Sequence, residues 1–287
     1  MKTLSESTPV VSVVMLTYNR PRLIGRAIQS VLDQDFQSWE LLVVHDGPNG
    51  ETEAVMAEWT TKEARIRYLR RTQRGNIANA TNYAIAHARG SYIAILDDDD
   101  FWSTPRKLSL QIEFLRTHPE YAGCGGGMIV LDQDGREKLR YLKPQHADDI
   151  LGRALFANPI AHSTAVYRRS VALNCGGYDE ILEGFQDWDL WLKIARVSKL
   201  YNFPEQLAYY TLWEGSGSFR QQRANTRSAL TIVRRHGKFY GGYPVALLMT
   251  LVHYAYARLP EPLHNLTFNL LWRLKKGLFS PIATAPK

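Results

Sequence analysis

The 287-residue chain is 45% apolar and 22% charged, the balance of an ordinary soluble globular protein with one large domain or one domain plus an appendage. Its two cysteines, Cys124 and Cys175, exclude a disulfide framework and a Cys-x-x-Cys metal or redox site, so a reducing compartment is the default. The net charge of +7 is uneven: residues 219–287 hold 11 Lys/Arg against Glu261 alone, while residues 1–218 hold 24 Lys/Arg against 27 Asp/Glu.

The polar N-terminus, Met1 to Pro9, lacks the apolar core of a signal peptide, so a cytoplasmic chain is expected. Val10 to Leu16 is a β-branched run bounded by Thr17-Tyr18-Asn19-Arg20-Pro21, which predicts a buried parallel strand ending in a loop. Leu23, Ile24, Ala27, Ile28, Val31 and Leu32 recur at helical spacing, and Trp39 to Val44 gives a second strand closing in His45-Asp46-Gly47. A short helix over 51–60, a strand over Ile66 to Leu69 and a helix from Asn76 to Ala88 follow. Strands alternating with helices predict an α/β fold, a mostly parallel sheet with helices on both faces.

The next strand, Ser91 to Leu96, runs into four consecutive carboxylates, Asp97 to Asp100, then Phe101 and Trp102. Strand alternation would point Asp97 and Asp99 together and Asp98 and Asp100 the other way. Outside the carboxyl end of a strand such oxygens suit Mg²⁺ or Mn²⁺ carrying a diphosphate, against the plainer alternative of a solvated acidic turn. Pro105 opens a helix with Leu108, Ile112 and Leu115, and Tyr121 to Leu131 reads as a glycine-interrupted strand. His162 to Tyr167 alternates like a strand, and Gly184 to Ala195 begins a helix with Asp187 near its N-terminus. A carboxylate there is favoured electrostatically, so position alone leaves Asp187 open as a cap or as a reactive group.

Beyond Phe219, the stretch Val245 to Ala257 is apolar for 13 residues, broken by His253 and short of the roughly 20 that a spanning helix needs. Leu263 to Phe279 sets Leu266, Phe268, Leu270, Leu271, Trp272 and Leu274 beside Arg273, Lys275 and Lys276, as interfacial helices do. Residues 219–287 are therefore expected as a basic helical appendage that docks on an anionic membrane surface, packs on the body, or forms a homodimer contact.

Taken in order, Val11 to Arg20, Val43-Val44-His45-Asp46-Gly47, Leu96 to Trp102 and Gln186-Asp187-Trp188-Asp189-Leu190-Trp191-Leu192 resemble the family 2 glycosyltransferases. The resemblance covers residues 10–195 and implies a GT-A fold: a catalytic domain over 1–218, with nucleotide-sugar binding in 10–102 and the acceptor side in 103–218. It implies a nucleotide-diphosphate sugar donor, UDP favoured, a Mn²⁺ or Mg²⁺ ion, and inverting transfer to a glycan or lipid-linked acceptor, as in polysaccharide or lipopolysaccharide synthesis. Thr17, Tyr18, Asn19 and Arg20 resemble the loop lying against the nucleotide, and Asp46 the carboxylate that reads the base edge. Asp97 and Asp99 match the Asp-x-Asp, with Asp98 on the nucleotide side and Asp100 able to share the metal. Asp187 matches the general base.

Four departures stand out. His45 replaces an Asp often found before Asp46, and Gln186 a Glu often found before the base. Ala80-Thr81-Asn82-Tyr83-Ala84 lacks a customary arginine, for which Arg74 could substitute. The distal loop, Tyr209 to Ser218, has no His or Arg before its glycine, which removes a histidine metal ligand from expectation. His162, Gln186 and Trp188 are acceptor-side candidates, set against a structural hydrogen bond for His162 and core packing for Trp188. A non-catalytic nucleotide-sugar binder, or a transferase acting on a protein or small molecule, is the alternative. Nucleic acid is not expected, because the acidic run sits where a basic cleft would be needed.

Overall fold

The computed structural model of the protein describes residues 8–47, 50–212 and 222–259. Its first half alternates β1 (Val11–Thr17), α1 (Ile24–Leu32), β2 (Trp39–Asp46), α2 (Gly50–Lys62), β3 (Ile66–Arg71), α3 (Ile77–His87) and β4 (Tyr92–Ile95). Then come β5 (Phe101–Trp102), α4 (Lys107–Thr117), β6 (Tyr121–Leu131), β7 (Glu137–Tyr141), α5 (Ala147–Arg153), a 3₁₀ turn at His162–Thr164, β8 (Val166–Arg168), α6 (Arg169–Asn174), α7 (Gln186–Ala195), β9 (Lys199–Thr211), α8 (Gln222–His236) and α9 (Tyr243–Tyr256). The sheet order is β3-β2-β1-β4-β8-β6-β9-β5, with β7 beside β6. β3, β2, β1 and β4 are parallel, and β8 enters antiparallel between β4 and β6.

The continuous apolar runs are strands because both faces of the sheet are covered: every residue of β2 is buried, and α1 lays Ile24, Ala27, Ile28 and Val31 against it. The register pairs Val11 with Trp39 and Thr17 with His45, so the carboxyl ends of β1 and β2 finish level and the loops beyond them open on one edge.

Two local expectations are corrected. β4 ends at Ile95, so the four carboxylates do not alternate along a strand; they form a turn closed by the Asp100 N–H donating to the Asp97 carbonyl at 3.1 Å. His162–Thr164 is a 3₁₀ turn, and only Val166–Arg168 pairs as a strand, because Ala165 N–H bonds back to His162 instead of to a neighbouring strand. The glycine-rich β6 and the helix from Gln186 are present as expected. Among the described residues no helix is long and apolar enough to cross a membrane. Leu263 to Phe279, and Trp213 to Ser218 of the distal loop, lie outside them.

α7 is fastened to α8 by a buried charge. Asp189 is fully buried; its Oδ1 accepts from His236 Nε2 and Arg235 Nη1, both at 2.9 Å, and Lys193 Nζ lies 2.7 Å from Oδ2. Arg235 also reaches Asp179 at 2.6 Å, and Ser228 Oγ accepts from the Gly184 N–H at 3.2 Å. A Cβ on Gly184 would sit 2.0 Å from Asn225 Oδ1, so that loop approaches α8 as only glycine allows. These hydrogen bonds and cations hold the Asp189 carboxyl down at about 2 against the cost of its burial. The charge is fully favourable above about 4 and its contribution is lost as pH falls toward 2. Asp189→Ala strands Lys193, Arg235 and His236 around an apolar hole and should lower unfolding free energy by about 3–5 kcal/mol in urea titration at pH 7; a loss under about 1 kcal/mol would show that the network carries no weight.

A second buried charge is Lys107, wholly inaccessible, with Nζ 4.2 Å from the Trp102 ring centroid and donating to Gln111 Oε1 at 2.7 Å. Burial pushes this amine down from 10.5 to about 7. The unfolded chain therefore binds a proton between pH 7 and 10.5 that the folded chain lacks, and stability rises with pH across that window, by up to about 1.4 kcal/mol per unit. The urea midpoint of the wild type should climb from pH 7.5 to 9.5 relative to that of Lys107→Met; parallel curves would mean that the amine titrates normally.

Candidate active site

The loop after β1 and the end of β2 build one side of the cleft. Tyr18 is 38% exposed, Arg74 lies over its ring at 4.0 Å, and Gly47 packs beneath it. Gly47 has φ +119, and a Cβ there would lie 3.3 Å from Tyr18, so this residue lets the ring settle against the backbone. Asp46 Oδ1 accepts from Arg71 Nη1 at 2.6 Å and from the Gly75 N–H at 3.1 Å, leaving a nearly buried carboxylate fixed at the rim. Arg71 thus holds Asp46, while Arg74, the sequence candidate for the missing donor-side arginine, lies over the Tyr18 ring. The register pairs Asp46 with Arg71 at the ends of β2 and β3, an opposite-charge pair that matching the strand ends could have found.

The acid turn forms the floor. Arg20 Nη1 donates to Asp98 Oδ1 at 2.8 Å and Asp99 Oδ2 at 2.9 Å, and Arg26 donates to the Asp99 carbonyl at 3.1 Å. Ser163 Oγ donates to Asp97 Oδ2 at 3.3 Å and to Asp100 Oδ2, while the Trp102 indole N–H donates to the Ser163 carbonyl at 2.9 Å. The turn therefore groups Asp97 with Asp100 and Asp98 with Asp99, not Asp97 with Asp99 as strand alternation had it. Burial raises the carboxyl of Asp98 to about 7 and pushes those of Asp97 and Asp100 up as well.

Asp187 stands opposite, second in α7, 8% exposed. Its Oδ2 accepts from Asn158 Nδ2 at 2.5 Å and lies 3.7 Å from His162 Nδ1. His162, in the 3₁₀ turn that also carries Ser163, thus places its ring beside α7. Phe185, immediately before α7, adopts φ +55 and meets Trp188 edge-on at 6.0 Å. Trp188 itself is buried, its indole N–H donating to the Ala154 carbonyl at 2.7 Å; it is core, and the acceptor-side expectation for it is corrected. Gln186 is buried at the start of α7. Asn158 was not legible, since nothing in its local sequence marks it. Neither was Tyr141 on β7, whose hydroxyl is pushed up by burial, with Asp100 and Asp187 near, and stays a neutral donor.

Whether a divalent ion suits this turn can be read from its oxygens. Asp98 Oδ2 and Asp100 Oδ1 are buried without hydrogen-bond partners, and four adjacent carboxylates face chiefly Arg20 and Arg26. Among the described residues no three Asp, Glu, His or Cys side chains gather into a metal cage. That donor set fits Mg²⁺ or Mn²⁺ bound by one or two carboxylates and completed by substrate phosphates.

Comparison with known proteins agrees with this geometry. Residues 12–175 match the family described as Glycosyl transferase family 2. A Bacillus subtilis (strain 168) protein named as a glycosyltransferase, EpsE, is 31% identical over 220 residues, spanning 75% of this chain and 77% of that one. The amylovoran biosynthesis glycosyltransferase AmsE of Erwinia amylovora is 28% identical over 200 residues, 68% of this chain and 74% of its own. The fold superposes on mannosyltransferase PcManGT from Pyrobaculum calidifontis, solved with GDP-Man and Mn²⁺, at a TM-score of 0.65 and 16% identity, covering 94% and 81% of the two chains. With its sheet, its acid turn and these relatives in agreement, the chain belongs to glycosyl transferase family 2 and is a glycosyltransferase of GT-A fold.

Proposed function

We propose that this transferase works in the cytoplasm and moves a sugar from a nucleotide-diphosphate sugar, UDP first among the donors, with inversion. The acceptor is a hydroxyl of a glycan or lipid-linked molecule in cell-surface polysaccharide synthesis. The observation that carries the reading is Asp187, a nearly buried carboxylate held on one oxygen by Asn158, with His162 Nδ1 3.7 Å from that same oxygen. With Oδ2 held, Oδ1 accepts the proton of the acceptor hydroxyl as its oxygen attacks the anomeric carbon from the face opposite the diphosphate. The sugar–diphosphate bond breaks as the new glycosidic bond forms, and the configuration inverts.

Tyr18 offers a ring face to the base, and Asp46 a carboxylate to an imide N–H of uracil or the N–H groups of guanine. Arg71 keeps that carboxylate aimed. Asp99, with Asp97 and Asp100 beside it, would hold Mn²⁺ or Mg²⁺, which when bound neutralises the leaving diphosphate. The GDP-Man and Mn²⁺ of PcManGT and the polysaccharide named for AmsE support the same reading.

Asp187→Asn should leave donor binding intact and lower turnover by roughly 10²- to 10⁴-fold, measured as donor consumption with metal present; near-normal turnover would remove Asp187 from the base role. Asp99→Ala should lose the metal-dependent part of nucleotide binding. In a thermal-shift screen with Mn²⁺, UDP at about 100 times its dissociation constant should stabilise the protein by about 2.7 kcal/mol. A preference for CDP would contradict the role given to Asp46, because cytosine N3 is an acceptor with no proton to give.

A further inference from the structure

α9 packs the wrong way round for a helix that only completes a core. Its buried residues are the small ones, Ala246 and Thr250, with Ala257 just past its end, whereas Val245, Leu248, Leu251 and Val252 are 54%, 63%, 38% and 44% exposed. At about 100° per residue the exposed four fall within an arc of about 120°, opposite the three small residues. Residues 243–257 contain no Lys, Arg, Asp or Glu, so the outward stripe is apolar without interruption.

The surroundings are cationic. Arg223, Arg227, Arg234 and Lys238 precede the helix and Arg258 follows it; residues 222–259 contain no carboxylate, and of their cations Arg235 is taken up by Asp179 and Asp189 of the body. The helix is 14 residues long, about 21 Å, too short to cross a bilayer core of about 30 Å. We infer that the outer face of α9 is a docking surface for an anionic lipid bilayer, the aliphatic stripe entering the headgroup boundary and the flanking Lys and Arg meeting lipid phosphates.

Charge decides between occupants. A second copy paired through α9 would bring two carboxylate-free cationic hairpins together, which repel. A nucleic-acid surface would want cations along the stripe itself, and it has none. The inference does not depend on Asp187 being the base.

The test is flotation of the full chain with vesicles of phosphatidylglycerol and phosphatidylcholine in equal parts, against phosphatidylcholine alone, at low salt. The double variant L248E/V252E changes only exposed side chains, and its thermal midpoint and size-exclusion volume are measured alongside. The wild type should float with the anionic vesicles and not the neutral ones, and the variant should bind them at least tenfold more weakly with its midpoint unchanged. Equal flotation of both proteins would place any docking elsewhere in the chain and overturn the proposal. So would no flotation of either, or a wild-type dimer that the variant dissolves.

Discussion

Everything in the cleft depends on keeping four adjacent carboxylates folded against the end of a buried strand. Anions in such a place are costly unless paired or hydrogen-bonded, and the partners come from far along the chain. Arg20 arrives from the loop after β1, Arg26 from α1, and Ser163 from the 3₁₀ turn. Trp102 then ties Ser163 to the short strand β5. The requirement to satisfy one turn thus pulls three separate segments into register, and among the described residues it leaves Asp98 Oδ2 and Asp100 Oδ1 buried without a hydrogen-bond partner.

The first half of the fold was legible because its strands are buried on both faces and write themselves as unbroken β-branched runs. The acid turn was legible as a site and not as a shape. Strand alternation was carried on to Asp100, past the last paired residue, Ile95, and the pairing of the carboxylates came out wrong. His162 to Tyr167 failed for a related reason: alternation over six residues cannot separate a 3₁₀ turn leading into a three-residue strand from one strand. The residues that aim the chemistry, Arg71 on Asp46 and Asn158 on Asp187, make tertiary contacts 25 and 29 residues away in sequence, which no local pattern encodes. Trp188 was ambiguous by spacing and is resolved by the hydrogen bond that its indole makes inside the core.

The segment matching the family ends at residue 175, before α7 begins. The helix bearing Asp187 packs on the sheet through Leu190, Trp191 and Ile194, and α8 adds a second hold through Asp189, Arg235 and His236 and through Ser228 on the loop at Gly184. One wall of the cleft is thus a property of the sheet edge, whereas the wall carrying Asp187 also depends on how the C-terminal hairpin seats.

Among the described residues two that are not glycine hold a left-handed backbone, Asn19 and Phe185. Asn tolerates this conformation; for Phe it costs on the order of 1 kcal/mol. Both lie on the cleft, one in the loop that faces the nucleotide and one directly before Asp187. A glycine at 185 would relieve that tension and also release the loop to other conformations, so the fold gives up some thermal robustness there in exchange for a single orientation of the residue two places on.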